Sequence, residues 1–269
     1  MARICLALLL LLPCGATPAT HTVLAATPLS RMDLRWWRQR FEFKQDELHK
    51  NRGVELLFLG DSITEDYEVS GPPAWRDFVP VWQHYYGDRN AINLGFSGDA
   101  TSHLLWRIEN GETDGIAPKV AVVLIGANNL GRLHWSADDT VAGIDAIVTQ
   151  LHHRLPRTKL LLLGVLPSDR SAWASETTVT INHMLAARYG RSDVTYLDIG
   201  AVFMQDGRLN RELFFDPKLT PPQAPLHPTA QGQALMAAAI EPTLAALLGD
   251  RQRSLPARLV SAKLAPVTQ

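Results

Sequence analysis

Five short runs of branched apolar residues, each followed closely by glycine or a turn, constrain this chain most. They are Val54-Glu55-Leu56-Leu57-Phe58-Leu59, Ala91-Ile92-Asn93-Leu94, Val120-Ala121-Val122-Val123-Leu124-Ile125, Leu160-Leu161-Leu162-Leu163-Gly164-Val165 and Val194-Thr195-Tyr196-Leu197. Runs of this length are too short for buried helices and read as strands covered on both faces. Helical stretches separate them. In the clearest, residues 141–155, an apolar stripe of Val141, Ile144, Ile147, Val148, Leu151 and Leu155 ends before Pro156. The last, residues 229–248, is rich in alanine and closed by Gly249. Strands alternating with helices require a parallel sheet with right-handed crossovers and helices on both sides, so the expected class is α/β, a three-layer doubly wound sheet.

One such domain is expected over residues 27–249. Ahead of the first strand, Leu34, Trp37, Phe41 and Leu48 recur at helical spacing among charges, which predicts an amphipathic helix packed on the outside. Beyond Gly249 the segment carries Pro256 and Pro266 and no sustained period, as expected of a loose tail. Lys and Arg number 26 against 27 Asp and Glu, so there is no basic excess to neutralise nucleic-acid phosphates.

Residues 1–26 read as a secretory signal. Arg3 precedes an apolar run, 4–12, and two small-residue clusters then compete as cleavage sites between about Ala19 and Ala26. The run is far shorter than the roughly 20 residues a bilayer span needs. Both cysteines, Cys5 and Cys14, lie inside this segment, so the mature chain would have no thiol chemistry and no disulfide. The expected location is outside the cytoplasm, periplasmic or extracellular.

In an open parallel sheet, ligands bind beyond the carboxyl ends of the strands. Gly60-Asp61-Ser62-Ile63-Thr64 follows the first run, Gly95-Phe96-Ser97-Gly98-Asp99 the second, and Gly126-Ala127-Asn128-Asn129 the third. A serine hydroxyl, backbone N–H groups and a side-chain amide thus gather at one mouth, and these are the parts of a nucleophile and an oxyanion hole. Far downstream, Pro225-Leu226-His227-Pro228-Thr229 places an imidazole just before the final helix, where it could take the proton of Ser62. His21, His49, His84, His134, His152, His153 and His183 show no metal-ligand spacing. Trp75, Trp82, Tyr85 and Tyr86 either offer a stacking surface for sugar rings or cover the sheet edge, and Arg107 and Glu109 read as structure around the second-strand loop.

On these motifs the chain resembles the SGNH, or GDSL-type, hydrolases, and among them most the catalytic subunits of the intracellular platelet-activating-factor acetylhydrolases. The resemblance extends over roughly residues 53–245. It is made specific by Asn93-Leu94-Gly95-Phe96-Ser97-Gly98-Asp99-Ala100-Thr101 and Leu105-Trp106-Arg107-Ile108-Glu109-Asn110-Gly111-Glu112, with Leu163-Gly164-Val165-Leu166-Pro167 and Leu226-His227 beside the strand-end motifs. It implies a flavodoxin-like fold, Ser62 as nucleophile, the N–H groups of Ser62 and Gly98 and the Asn128 amide as oxyanion donors, and His227 as base. It implies no metal and no organic cofactor.

One departure stands out. The family carries Asp three residues before the histidine, where this chain has Ala224. The group that orients His227 is then Asp216, the nearest upstream acid, folded back by the proline-rich loop 217–223, or else a backbone carbonyl or water, with Asp216 only capping a turn before Pro217.

The expectation is an exported serine esterase that removes a small acyl group, acetyl first, from an O-acetylated polysaccharide or glycan. The alternatives are a short-chain lipid esterase or lysophospholipase, and a non-catalytic carbohydrate-binding or assembly protein on the same fold.

Overall fold

The computed structural model describes residues 22–260. In chain order the main elements are α1 (Arg35–Lys50), β1 (Leu56–Gly60), α2 (Ser62–Glu65), α3 (Val79–Tyr85), β2 (Ala91–Gly95), α4 (Thr101–Arg107), β3 (Val120–Leu124), α5 (Ala127–Gly131), α6 (Ala137–Arg154), β4 (Lys159–Leu163), α7 (Ala172–Tyr189), β5 (Thr195–Leu197) and α8 (Ala230–Leu248). All five apolar runs are strands of one parallel sheet in the order β2-β1-β3-β4-β5. Chain order reverses between β1 and β3, and the crevice opened there is where such sheets hold ligands.

Alternate residues of each strand face opposite layers, as the pleat demands. Leu57, Leu59, Ala121, Val123, Leu160 and Leu162 pack against α4, α6 and α7, whereas Leu56, Phe58, Val120, Val122, Leu161 and Leu163 pack against α3 and α8. The result is the three-layer α/β fold expected from the runs. A smaller cluster, Trp37, Phe41 and Phe96 with Trp106 against it, seats α1 beside the end of β2.

Helix α7 has no counterpart in the apolar pattern. Its inward face is Ala174, Thr177, Thr178, Ile181, Asn182, Leu185 and Tyr189, with Ile181 and Leu185 the only large aliphatic residues, so the face carries little hydropathy contrast. Three of these settle their polar atoms inside the turn or the sheet: Thr177 and Thr178 donate to carbonyls one turn back, and Asn182 bonds both backbone groups of Val165.

Both ends of the domain differ from expectation. Residues 1–21 of the expected leader lie outside the described residues, but 22–26 do not. Leu24–Ala26 form a single 3-10 turn; Ala25 is buried and its carbonyl accepts a hydrogen bond from Thr101 Oγ1 at 2.8 Å. A boundary at residue 26 therefore cuts through packed structure. At the other end the segment after Gly249 is held, not loose, over its described part. Arg89 bonds both Glu241 and Asp250, the Arg253 N–H donates to Glu241 at 2.7 Å, and Leu255 packs on the α8 layer. Charged anchors of this kind leave no hydropathy signal.

Candidate active site

β1 ends in Gly60, where a Cβ would stand 2.5 Å from the Leu124 carbonyl and collide with Thr64, so only glycine lets α2 start this close to the sheet. Asp61 caps α2, its carboxylate accepting the Ile63 N–H at 3.0 Å. Ser62 is the first helical residue, so its N–H has no intrahelical acceptor and its hydroxyl stands at the crevice. From there Ser62 Oγ lies 3.0 Å from His227 Nε2.

His227 reaches this point because two stretches far from β1 pair with each other. Phe215 N–H donates to the His227 carbonyl at 2.9 Å and Thr229 N–H to the Leu213 carbonyl at 2.7 Å, an antiparallel contact just ahead of α8. This pairing sets Asp216 opposite His227. Asp216 Oδ1 lies 2.6 Å from His227 Nδ1, while Oδ2 accepts the N–H groups of His227 at 2.6 Å and Leu226 at 2.8 Å. Asp216 is also the first residue of the 3-10 turn Asp216–Lys218, but its carboxylate does not cap that turn and is given wholly to Leu226 and His227. Ala224, at the family's usual acid position, is exposed. The Phe215 ring stacks on the imidazole at 5.2 Å, and the Arg76 guanidinium lies over the same Phe215 ring at 5.0 Å.

The electrostatics suit a Ser-His-Asp relay. Burial alone would raise the Asp216 carboxyl, but the hydrogen bond and charge of His227 and the two backbone donors outweigh it, and its pKa is lowered. Burial alone would lower His227; the bond to Asp216, its charge, and the charges of Asp66 and Asp61 outweigh that, and the imidazole pKa is raised. Asp61 and Asp66 are buried acids pushed up to about 7 and about 6, chiefly by desolvation.

Gly98 and Asn128 come to the same crevice from β2 and β3. Gly98 has φ 75°, and no turn or side-chain hydrogen bond among the described residues uses its N–H. Asn128 is buried, and its amide nitrogen donates to the Asp99 carbonyl at 3.0 Å, which ties it to the Gly98 loop. The second amide proton has only a 3.4 Å contact with Asp61 Oδ2. The N–H groups of Ser62 and Gly98 thus have no acceptor among the described residues, and the Asn128 amide is held by the residue before Ser62 and the residue after Gly98, an arrangement that can meet one developing negative charge.

Beneath this loop lies a buried charge network. Asp99 accepts from Trp37 Nε1 and Arg31 at 2.8 Å and from Arg107 Nε at 2.9 Å; Arg107 also bonds Glu112 and donates to the Gly60 carbonyl at 3.2 Å. One guanidinium therefore holds the ends of β1 and the Gly98 loop together. Arg107 was legible as structural, whereas Glu109 touches this network nowhere and only its carbonyl is used, by Arg154. Asp99 as the hub, and Arg31 and Trp37 as its partners from the N-terminal side, had no signal beyond the motif itself. Tyr85 and Tyr86 are fully buried and with Trp82 cover the sheet around Phe58, while Trp75 lies against Phe215 near the site. Among the described residues no group of three or more His, Cys, Asp or Glu side chains converges as a metal site, and no helix is long and apolar enough to cross a membrane.

Residues 58–235, well over half of the chain, match the sequence model of the GDSL-like lipase/acylhydrolase family. The chain belongs to that family and is a carboxylic ester hydrolase. It is 32% identical over 202 residues to platelet-activating factor acetylhydrolase IB subunit alpha2 of Gallus gallus, covering 71% of this chain and 81% of the relative. Among solved structures it is similar to a GDSL-like lipase from Bacteroides thetaiotaomicron, with TM-score 0.60, 18% identity, and coverage of 77% of this chain and 97% of the other. It is also similar to an acetyl-xylooligosaccharide esterase from Geobacillus, with TM-score 0.54, 19% identity, and coverage of 75% and 97%. These structural likenesses bear on the fold.

Proposed function

We propose that Ser62, His227 and Asp216 form the catalytic triad of an exported esterase that removes small acyl groups, acetyl above all, from O-acetylated glycans. The observation that carries the reading is the unbroken relay from Ser62 Oγ through His227 to Asp216, at 3.0 and 2.6 Å. In the reaction Ser62 Oγ attacks the ester carbonyl and His227 Nε2 takes its proton. Asp216 holds the ring in the tautomer that can accept there and stabilises the cation that forms. The N–H groups of Ser62 and Gly98 and the Asn128 amide receive the negative charge of the tetrahedral intermediate. The imidazolium then protonates the departing alcohol, leaving an acyl-enzyme. Water, deprotonated by the same His227, releases the acid and frees Ser62.

Acetyl as the acyl group is supported by the acetylhydrolase and the acetyl-xylooligosaccharide esterase among the similar proteins. Export is supported by Arg3 ahead of the apolar run 4–12 and by the confinement of both cysteines to that segment. A location outside the cytoplasm favours a glycan ester over an intracellular lipid. A non-catalytic binder would have no reason to keep an aligned relay.

The test compares p-nitrophenyl esters of increasing chain length with acetate release from acetylated oligosaccharides and from a short-chain phospholipid ester. Acetate should be the best acyl group and a saccharide the best alcohol. A maximum at longer chains, or preference for the lipid, would replace this reading with that of a lipid esterase.

A further inference from the structure

On the side of Gly98 where a Cβ would project, two guanidinium groups crowd the loop. Arg132 Nη1 is 2.5 Å from that point and the Arg31 nitrogens are 3.4 Å from it. Arg31 is already engaged, by Asp99 at 2.8 Å and by the Ser97 carbonyl at 3.0 Å. Arg132 is exposed and, among the described residues, its side chain makes no hydrogen bond or ion pair, while its backbone N–H donates to the Asn128 carbonyl at 3.1 Å. A second guanidinium, from Arg170, lies against Gly131, with Nη1 2.9 Å and Cζ 3.2 Å from where a Cβ would be. It too is exposed and without a partner among the described residues, since its neighbour Asp169 is taken by Arg211. Beyond these two, His134 and Trp173 stack at 5.3 Å, and Trp173 remains 39% exposed.

Two free arginines beside an oxyanion loop are not needed to hold that loop, because Asp99, Arg31 and Arg107 already do so. The charge of Arg132 also reaches inward. His103 is held down at about 4, first by burial and further by Arg31, Arg107 and Arg132 against the opposing pull of Asp99. A guanidinium offers a planar pair of donors that fits a carboxylate, and an exposed indole offers a flat apolar face of the kind a sugar ring covers. A fatty chain would instead need a continuous apolar lining, which two charged groups interrupt.

We infer that Arg132 and Arg170, with Trp173 beside them, form a subsite for the carboxylate of an acidic sugar, so that the preferred substrate is an O-acetylated uronate-containing glycan. This rests on the esterase reading of the Ser62 site. Arg132 directly follows α5, the helix that carries Asn128, and its guanidinium lies against the Gly98 loop, so an anion held there sits beside the oxyanion donors.

The test uses the protein as expressed from the full chain and a matched pair of substrates, methyl glucuronoside and methyl glucoside, each carrying one O-acetyl group at the same position. At low salt the acidic ester should have a kcat/KM about tenfold higher, a preference that shrinks as salt screens the exposed charges. Arg132→Gln with Arg170→Gln should remove the preference, and the paired Lys variants should restore part of it, with circular dichroism reporting the fold. Equal rates for the two esters, or a preference indifferent to the Gln substitutions, would overturn the subsite. So would an arginine dependence seen only with an acetylated glycerophospholipid. If no ester at all is hydrolysed, the esterase reading fails, and titration of a glucuronate oligosaccharide by calorimetry then judges the subsite alone. Binding lost in the double Gln variant supports it, and no binding to the unmodified protein refutes it.

Discussion

Asp216 grips His227 at two places: one carboxylate oxygen meets Nδ1 of the ring at 2.6 Å, and the other takes the residue's own backbone N–H at 2.6 Å. The backbone bond holds the carboxylate in place, so the imidazole cannot turn from Ser62 without breaking its contact to Oδ1. The acid stands eleven residues ahead of the histidine instead of the family's three, and the intervening loop projects Ala224 into solvent.

Asp216→Asn should therefore lower kcat by about 10³–10⁴, since the amide can hold the wrong tautomer and cannot stabilise the imidazolium. Ala224→Asp should change little, because its position is exposed and Nδ1 already has a partner. Steady-state kinetics on p-nitrophenyl acetate decide this; a loss under tenfold for Asp216→Asn, or a gain for Ala224→Asp, would show that another group orients the ring.

The pH dependence follows from the same pair. The active form carries neutral His227, and the Asp216 bond and charge raise its pKa despite burial. The acid limb of kcat/KM should therefore fall above the ordinary histidine value of about 6.5, with activity rising through it toward higher pH. The mutual stabilisation of the pair runs the other way at high pH. It is full while the imidazole is charged and fades as pH climbs through the raised pKa; at the acid end it fades as pH drops through the lowered pKa of Asp216. A pH–rate profile of Asp216→Asn should show the limb displaced downward, and an unmoved limb would assign it to another group such as Asp61.

Asn128→Ala should reduce kcat by about 10²–10³ with a smaller change in KM, as expected when one preorganised donor to the transition state is removed. Should KM rise alone, Asn128 would be a ground-state contact.

Arg107 links Asp99, Glu112 and the Gly60 carbonyl in a site closed to solvent. Replacing it with Met leaves the buried Glu112 carboxylate without its cation and Asp99 with Arg31 and Trp37 alone, and urea unfolding should register a loss of about 3–5 kcal/mol. A loss under about 1 kcal/mol would mean that the carboxylates protonate or hydrate at little cost.

The packing of Ala25 bears on processing. If the chain is exported and trimmed, the mature N-terminus should fall at or before Val23, because cleavage after Ala26 would remove the carbonyl that Thr101 holds. Sequencing the N-terminus of material from the native host checks this, and a start at Thr27 would contradict it.

The strands were legible because each is a nearly uninterrupted apolar run, and the mouth of the sheet was legible because glycine, serine and asparagine follow those runs directly. The rest depended on pairings between distant segments. Asp216 becomes the partner of His227 only through the contact of Leu213 and Phe215 with Thr229 and His227, which no local pattern encodes. Helix α7 escaped the apolar pattern because threonine and asparagine fill its inner face. Nothing in the local sequence marks Arg132 or Arg170; the folded chain alone brings the first against Gly98 and the second against Gly131.

The central claim is that Ser62 is the nucleophile, and covalent trapping tests it most directly. Incubating the protein with a fluorophosphonate and mapping the adduct by peptide mass spectrometry should find one modified residue, Ser62, with labelling and ester turnover both lost in Ser62→Ala. An adduct on any other residue, or turnover that survives in Ser62→Ala, would contradict the account.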